Sequence, residues 1–301
     1  MLGLLLRVSR PYYYLVTLWL YLLPAGGRID LLSTMPFWLG VAYCTLPLNL
    51  MCYLMNDLAD VGVDEHNPRK GSELLGAKES VALLRAAKPV AFYLQVPFLA
   101  TFVALVGFRV LPWFCAVFAV NWLYNFGPQF SSGHHAPLDL LCPCGYLLVV
   151  PLCCWLNALA YPPLRSWLHA FVLIVRTQLW IQTFDLEADA AAGRRTTAVR
   201  LGMRGAQLLL FFILLGETAF VHASFEHWPL RSLSSGSLAL LMAQALFTRQ
   251  SAGDTGGDGA NATPAAVKPA LSPASVNSTF LVLGLGGVGL MARVWLDAAF
   301  A

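Results

Sequence analysis

Asn56-Asp57-Leu58-Ala59-Asp60-Val61-Gly62-Val63-Asp64 follows almost directly on the apolar run Phe37–Leu54. A run of that length is a candidate membrane span, because a helix crossing a ~30 Å hydrocarbon core needs about 20 apolar residues. Three carboxylates and an amide then crowd into one short stretch, where each charge at membrane depth is costly. On a continuing helix Asn56, Asp60 and Asp64 are four apart and Asp57 lies three before Asp60, so all four share one face. Like charges at these spacings repel, and a bound cation is the expected compensation.

The same junction recurs. The apolar run Trp167–Phe184 ends in Asp185-Leu186-Glu187-Ala188-Asp189, with Asp185 and Asp189 again four apart. Basic residues follow each cluster, Arg69 and Lys70 after the first and Arg194 and Arg195 after the second. One reading makes these ordinary wet loops whose acids and bases pair. The other, favoured by two such faces in a chain with only 16 acidic residues, is a closed ionic site. Mg²⁺ gives up its waters reluctantly and commonly shares carboxylates with substrate phosphates. Two acidic faces suit a diphosphate clamped between such ions.

The rest of the chain supplies the solvent for this site. Of 301 residues 58% are hydrophobic and 12% charged, about half the charged share of a typical soluble domain. Apolar segments fall at Tyr12–Gly26, Phe37–Leu54, Pro89–Phe108, Leu111–Tyr124, Leu140–Asn157, Trp167–Phe184, Ala206–His222, Leu233–Phe247 and Phe280–Leu296. The expectation is an all-α, polytopic membrane helical bundle of about nine transmembrane helices, forming one domain over residues 1–301 within the lipid bilayer. Arg7 and Arg10 before Tyr12–Leu23 could pass for a signal peptide, but the further spans favour a first transmembrane helix.

Nine spans place 13 Lys and Arg on the side of the acidic clusters and five on the other, with Arg176 inside the sixth span. By the positive-inside tendency the clusters face the cytoplasm or its equivalent. The net charge of +3 comes without a basic run, so no nucleic-acid partner is expected. Seven cysteines without a C-x-x-C spacing are expected to be buried thiols. Residues 251–278, rich in Gly, Ala, Pro and Ser, read as a disordered loop, and its acceptors Asn261 and Asn277 as unglycosylated in this orientation.

These residues resemble the UbiA superfamily of intramembrane prenyltransferases. The first cluster matches its N-D-x-x-D-x-x-x-D motif. The second, continuing through Gly193, Thr196, Arg200 and Gly202, is similar to its D-x-E-x-D…G-x-x-T…R-L-G segment. Arg10-Pro11 and Tyr124-Asn125 are weaker matches. The resemblance implies Mg²⁺-dependent transfer of an isoprenyl group from an allylic prenyl diphosphate to a lipophilic acceptor, an aromatic quinone precursor or a polyene. It implies Asp57, Asp60, Asp64, Asp185 and Asp189 as metal-binding catalytic residues. Asn56, Arg69, Lys70, Tyr124, Asn125, Arg194 and Arg195 would contact diphosphate. Apart from the resemblance, Asp139, at the start of the fifth span on the acidic side, is a candidate for orienting or deprotonating the acceptor.

Two departures bear on the acceptor. Thr177 and Ile181 stand where many members have Tyr and Lys, and the segment after Tyr124 lacks the basic R-x-K. The stretch Asp64–Gly71 and Pro137-Leu138-Asp139 are more like the branch that includes lycopene elongases. A terpene cyclase of the same superfamily and a non-catalytic scaffold or transporter are the alternative readings.

Among other features, Gly284–Gly289 spells G-x-G-x-x-G without a strand–turn–helix setting and reads as helix packing. His134-His135 reads as part of a polar loop. Glu217 and Arg176 are intramembrane ions, and intramembrane ions are functional or mutually paired.

Overall fold

The computed structural model describes residues 2–61, 78–127, 134–253 and 288–300. Asp64, Arg69, Lys70, Asn261 and Asn277 lie outside the described residues, as do most of the 251–278 loop and most of the Gly284–Gly289 motif. Within them the fold is helical, and the only pairing of β type is an isolated bridge between His135 and Arg195.

The helices are α1 (Leu2–Val8), α2 (Tyr14–Leu22), α3 (Met35–Cys44), α4 (Leu46–Ala59), α5 (Val81–Tyr93), α6 (Gln95–Val106) and α7 (Val110–Phe126). Then come α8 (Leu138–Leu141), a 3₁₀ segment Cys142–Leu148, α9 (Val149–Leu156), α10 (Leu164–Ala191), α11 (Thr197–Ser224), α12 (Trp228–Gly253) and a helical stretch at 288–296. Among the described residues four stretches are long and apolar enough to cross a membrane: Met35–Ala59, Val81–Val106, Leu138–Leu156 and Thr197–Ser224. Exposed side chains such as Trp38, Phe108, Leu164 and Phe212 are what a lipid-facing surface presents.

Three of the expected spans are broken, each where a side chain or proline dictates it. The second divides at Thr45, since Pro47 has no N–H to donate back into α3. The carbonyls freed there are taken up by Asn49, whose Nδ2 donates to Cys44 O at 2.9 Å and Thr45 O at 2.8 Å, and by Thr17 Oγ1, which donates to Cys44 O at 2.7 Å. The third divides at Leu94, where Gln95 Nε2 donates to Ala91 O at 2.9 Å and across to Pro47 O at 3.0 Å. The fifth passes through the 3₁₀ turn at Cys142–Leu148, which has Pro143 at its start and Gly145 within it. Such non-helical backbone survives at membrane depth only when its polar groups find partners inside the protein.

The sixth span does the reverse. α10 runs unbroken for 28 residues, so the Asp185–Asp189 segment is its last turns rather than a loop. α11 starts on Thr196, whose hydroxyl caps Val199 N, and kinks at Gly202, where φ of 68° admits little but glycine. Antiparallel α10 and α11 pack through Leu179, Ala206, Leu210 and Leu214. Gly40 in α3 lets the helix lie directly on the Tyr21 ring of α2, where a Cβ would overlap it. Of the seven cysteines all are free thiols, but Cys115 is exposed on α7, contrary to the expectation that all are buried; an apolar thiol facing lipid costs little.

Candidate active site at the acidic ends of two helices

Pro11 opens the turn ahead of α2, and Arg10 before it adopts φ of 51°, a left-handed conformation that non-glycine residues rarely hold. This turn carries the Arg10 guanidinium inward. Its Nη2 donates to Asp57 Oδ1 at 2.5 Å and to Asn56 Oδ1 at 2.7 Å, and its carbon sits 4.4 Å from the centre of the Tyr53 ring. α4 ends at Ala59 with Asp60 as its cap, so the helix does not continue through the cluster. Asn56 and Asp60 still share a face, Asn56 Nδ2 donating to Asp60 Oδ2 at 2.9 Å. Asp57 does not share it. The structure turns this acid onto Arg10.

From Asp60 the network crosses to the second acidic segment. Arg194, in the turn after α10, pairs with Asp60 through Nη2 and with Asp189 Oδ1 through Nη1 at 3.0 Å. Burial works against its charge, but Asp60 and Asp189 outweigh burial and hold the guanidinium above its ordinary range. Asn56 Nδ2 also donates to Asn125 Oδ1 at 3.1 Å, which adds α7. One line of contacts thus links Arg10, Asn56, Asp60, Arg194 and Asp189, joining two segments more than a hundred residues apart in sequence.

All of this closes one end of a cavity of about 400 Å³. Asn56, Asp60, Asn125, Tyr124, His134, Asp185, Asp189 and Arg194 line that end, and the body is lined by Trp19, Leu20, Val117, Leu148, Leu173 and Ile174 among other apolar side chains. Between the two, Tyr53 and Tyr146 share a hydroxyl contact of 3.0 Å and Tyr13 packs on Tyr53 with ring centres 5.2 Å apart. Thr177 and Ile181, the two departures noted in the sequence, also face the cavity. Arg195 and Glu187 are exposed and do not line it.

Asp139 is placed elsewhere. It is fully buried beside the cavity rather than in its wall, and its oxygens accept from Thr197 N at 2.5 Å, Thr197 Oγ1 at 2.9 Å and Gln182 Nε2 at 2.8 Å. A carboxylate so occupied fastens the start of α11 to α10 and has no reach to an acceptor. Glu217 and Arg176 do meet, at 2.5 Å, with His169 at 3.6 Å, on the α10–α11 contact away from the cavity.

His134 was not read as a site residue, yet it lines the acidic end. Its imidazole lies 3.7 Å from Asp60, and burial, then the Arg194 charge, hold it below its ordinary pKa. Adjacent histidines give no sequence signal for which of them turns inward.

The donor set facing the cavity, Asp60, Asp185 and Asp189 with the Asn56 amide, is one of hard oxygens, which suits Mg²⁺. Among the described residues no three acids, histidines or cysteines converge into a complete protein-only metal site.

Residues 13–256 match the UbiA prenyltransferase family. A lycopene elongase/hydratase of Haloarcula japonica is 28% identical over 243 residues, 76% of each chain. One of Corynebacterium glutamicum is 42% identical over 72 residues, 23% of each chain. Among solved structures, a UbiA homolog from Archaeoglobus fulgidus bound to DMAPP and Mg²⁺ superposes with a TM-score of 0.62 at 19% identity, covering 97% of this chain and 98% of that one. The same homolog bound to GPP and Mg²⁺ gives 0.57 at 18% identity, over 96% and 98%.

Proposed function

The chain belongs to the UbiA prenyltransferase family, and from that premise we propose that it transfers an isoprenyl group from an allylic prenyl diphosphate to an uncharged, lipophilic acceptor of the polyene class, with Mg²⁺. The observation that carries the reading is the single cavity with an acidic, amide-rich end and an apolar body. Its two halves match a substrate with an anionic head and a hydrocarbon tail.

Asp60, Asp185 and Asp189, with Asn56, would hold Mg²⁺ against the diphosphate. Asp64, Arg69 and Lys70 would complete that end from outside the described residues. Asp57 serves by fixing Arg10, and Arg10 in turn fixes Asn56. The metal, when bound, neutralises charge on the departing diphosphate. The C–O bond breaks with its electron pair on the diphosphate, leaving an allylic cation. A double bond of the acceptor forms the new C–C bond, and a proton is then lost to the diphosphate. Tyr53, with Arg10 over its ring, and Tyr146 line the cavity beside its polar end, and the apolar body would keep water from the cation.

An uncharged acceptor is favoured by where the cations are committed. Arg10 and Arg194 are the Lys or Arg side chains among the described lining residues, and both are engaged by Asp57, Asp60 and Asp189. Among the described residues, each of these guanidiniums already faces a carboxylate of the protein. The relatives named lycopene elongase/hydratase point the same way.

The test supplies purified protein with Mg²⁺ and labelled dimethylallyl, geranyl and geranylgeranyl diphosphates, alone, with a linear carotene, or with an aromatic acid. Diphosphate release that needs both Mg²⁺ and the carotene, and that is lost in Asp60→Ala and Asp185→Ala, is expected. A terpene formed without acceptor would identify a cyclase instead, and absence of turnover with every pair would sink the enzyme reading of this cavity.

A further inference from the structure

We propose that His134 contacts the substrate diphosphate directly, donating an N–H from the segment that follows α7; this deepens the prenyl-diphosphate reading and rests on it. Residues 127–135 contain neither Lys nor Arg. Among the described residues of that segment, His134 is the side chain lining the cavity, alongside Asn56, Asp60, Asp185, Asp189 and Arg194. Its side chain is 23% exposed, and Nε2 is buried without a hydrogen-bond partner, 3.7 Å from Asp60 Oδ1. That separation is too long for a hydrogen bond. A buried ring nitrogen left so costs free energy that a ligand oxygen in the cavity would relieve.

The position of the ring is built rather than incidental. The His134 carbonyl accepts from Arg195 N at 3.1 Å, and the Arg195 carbonyl accepts from Ala136 N at 3.0 Å. These bonds zip the segment onto the turn that carries Arg194, so the imidazole and the guanidinium approach Asp60 together. The edge of the His134 ring also meets Tyr124, with centres 6.3 Å apart. His135, the next residue, makes the bridge to Arg195 and does not line the cavity. A hydrogen bond to a charged acceptor is about twice as strong as a neutral one, so one N–H here gives measurable affinity for the head group and none for the tail.

The experiment measures affinity in detergent for a prenyl thiolodiphosphate, which does not ionise readily, and for the matching prenyl alcohol, both with Mg²⁺. His134→Leu is expected to weaken the thiolodiphosphate roughly tenfold or more and to leave the alcohol unchanged. His134→Gln, which keeps an N–H donor, is expected to recover most of the loss; His134→Ala stands in if the leucine variant unfolds early on heating. Unchanged thiolodiphosphate affinity in the apolar variants overturns the proposal, and so does an equal loss for the alcohol, which would make His134 a wall of the cavity. Absence of thiolodiphosphate binding by the unaltered protein would instead overturn the prenyl-diphosphate reading, and this proposal with it.

Discussion

What a carboxylate can do depends on what already occupies its oxygens. Asp139 receives three donors from Thr197 and Gln182, and Asp60 faces the cavity between Asn56 and Arg194. Replacing Asp139 with Asn turns one acceptor into a donor that confronts other donors in a buried site. Asp139→Asn is therefore expected to lower stability by about 2–3 kcal/mol, seen as earlier thermal unfolding in detergent, while turnover per folded molecule stays near normal. Normal stability with lost turnover would return Asp139 to the chemistry. The sequence displayed every acid but not these assignments, since the donors to Asp139 stand 43 and 58 residues away. That Asn56 and Asp60, and Asp185 and Asp189, would line a common wall was legible because helical spacing puts each pair on one face. Asp57 was not, because its direction is set by Arg10 and not by spacing. His134 was not, because only the pairing of its backbone with Arg195 brings it inward.

At the scale of elements, the apolar runs marked where helices lie and missed where they break. Pro47 was visible in the second run, but a proline alone does not say whether a helix bends or divides. What decides is whether the freed carbonyls find donors, and Asn49 supplies them. Asn49 is fully buried and also donates to Thr17 Oγ1 at 3.0 Å, tying α2 to the break. In a chain with few polar residues it looks functional, yet its side chain repairs backbone. Asn49→Leu keeps the volume and removes three hydrogen bonds, so Cys44 O retains Thr17 Oγ1 at 2.7 Å and Thr45 O retains the longer backbone bond from residue 49 at 3.3 Å, at membrane depth. A loss of about 2–4 kcal/mol is expected, readable as a lower unfolding temperature with an unchanged metal requirement. A variant as stable as the parent would show that α3 and α4 are held by packing alone. Gln95 does the same work at Leu94 and reaches Pro47 as well, so the two breaks are coupled through one amide.

At the scale of the whole molecule, the polarity of the bundle is a consequence of where its ends gather. The acidic ends of α4 and α10 meet at Asp60, Arg194 and Asp189. The other end of α10 meets the C-terminal stretch, Ser166 Oγ donating to Phe300 O at 3.1 Å, and Gly27 N donates to Trp295 O at 2.7 Å. α10, with 28 residues, is about 42 Å long at 1.5 Å per residue, enough to set these ends on opposite faces of a bilayer. On the nine-span expectation the count of Lys and Arg is 13 on the acidic side against five, so the acidic end is expected in the cytoplasm or its equivalent, where a charged diphosphate would have access without crossing lipid. Glu187 is exposed beside the acidic end, and Asp30 is exposed in the turn at the other. In a chain with its own cysteines replaced, Glu187→Cys should react with an impermeant thiol reagent only in inverted vesicles, and Asp30→Cys only in right-side-out ones. Labelling of both from one side would break the two-ended arrangement, and exchange of the two patterns would reverse the orientation while keeping the bundle. The charge count reaches this far because a bundle with few charges cannot hide where they collect.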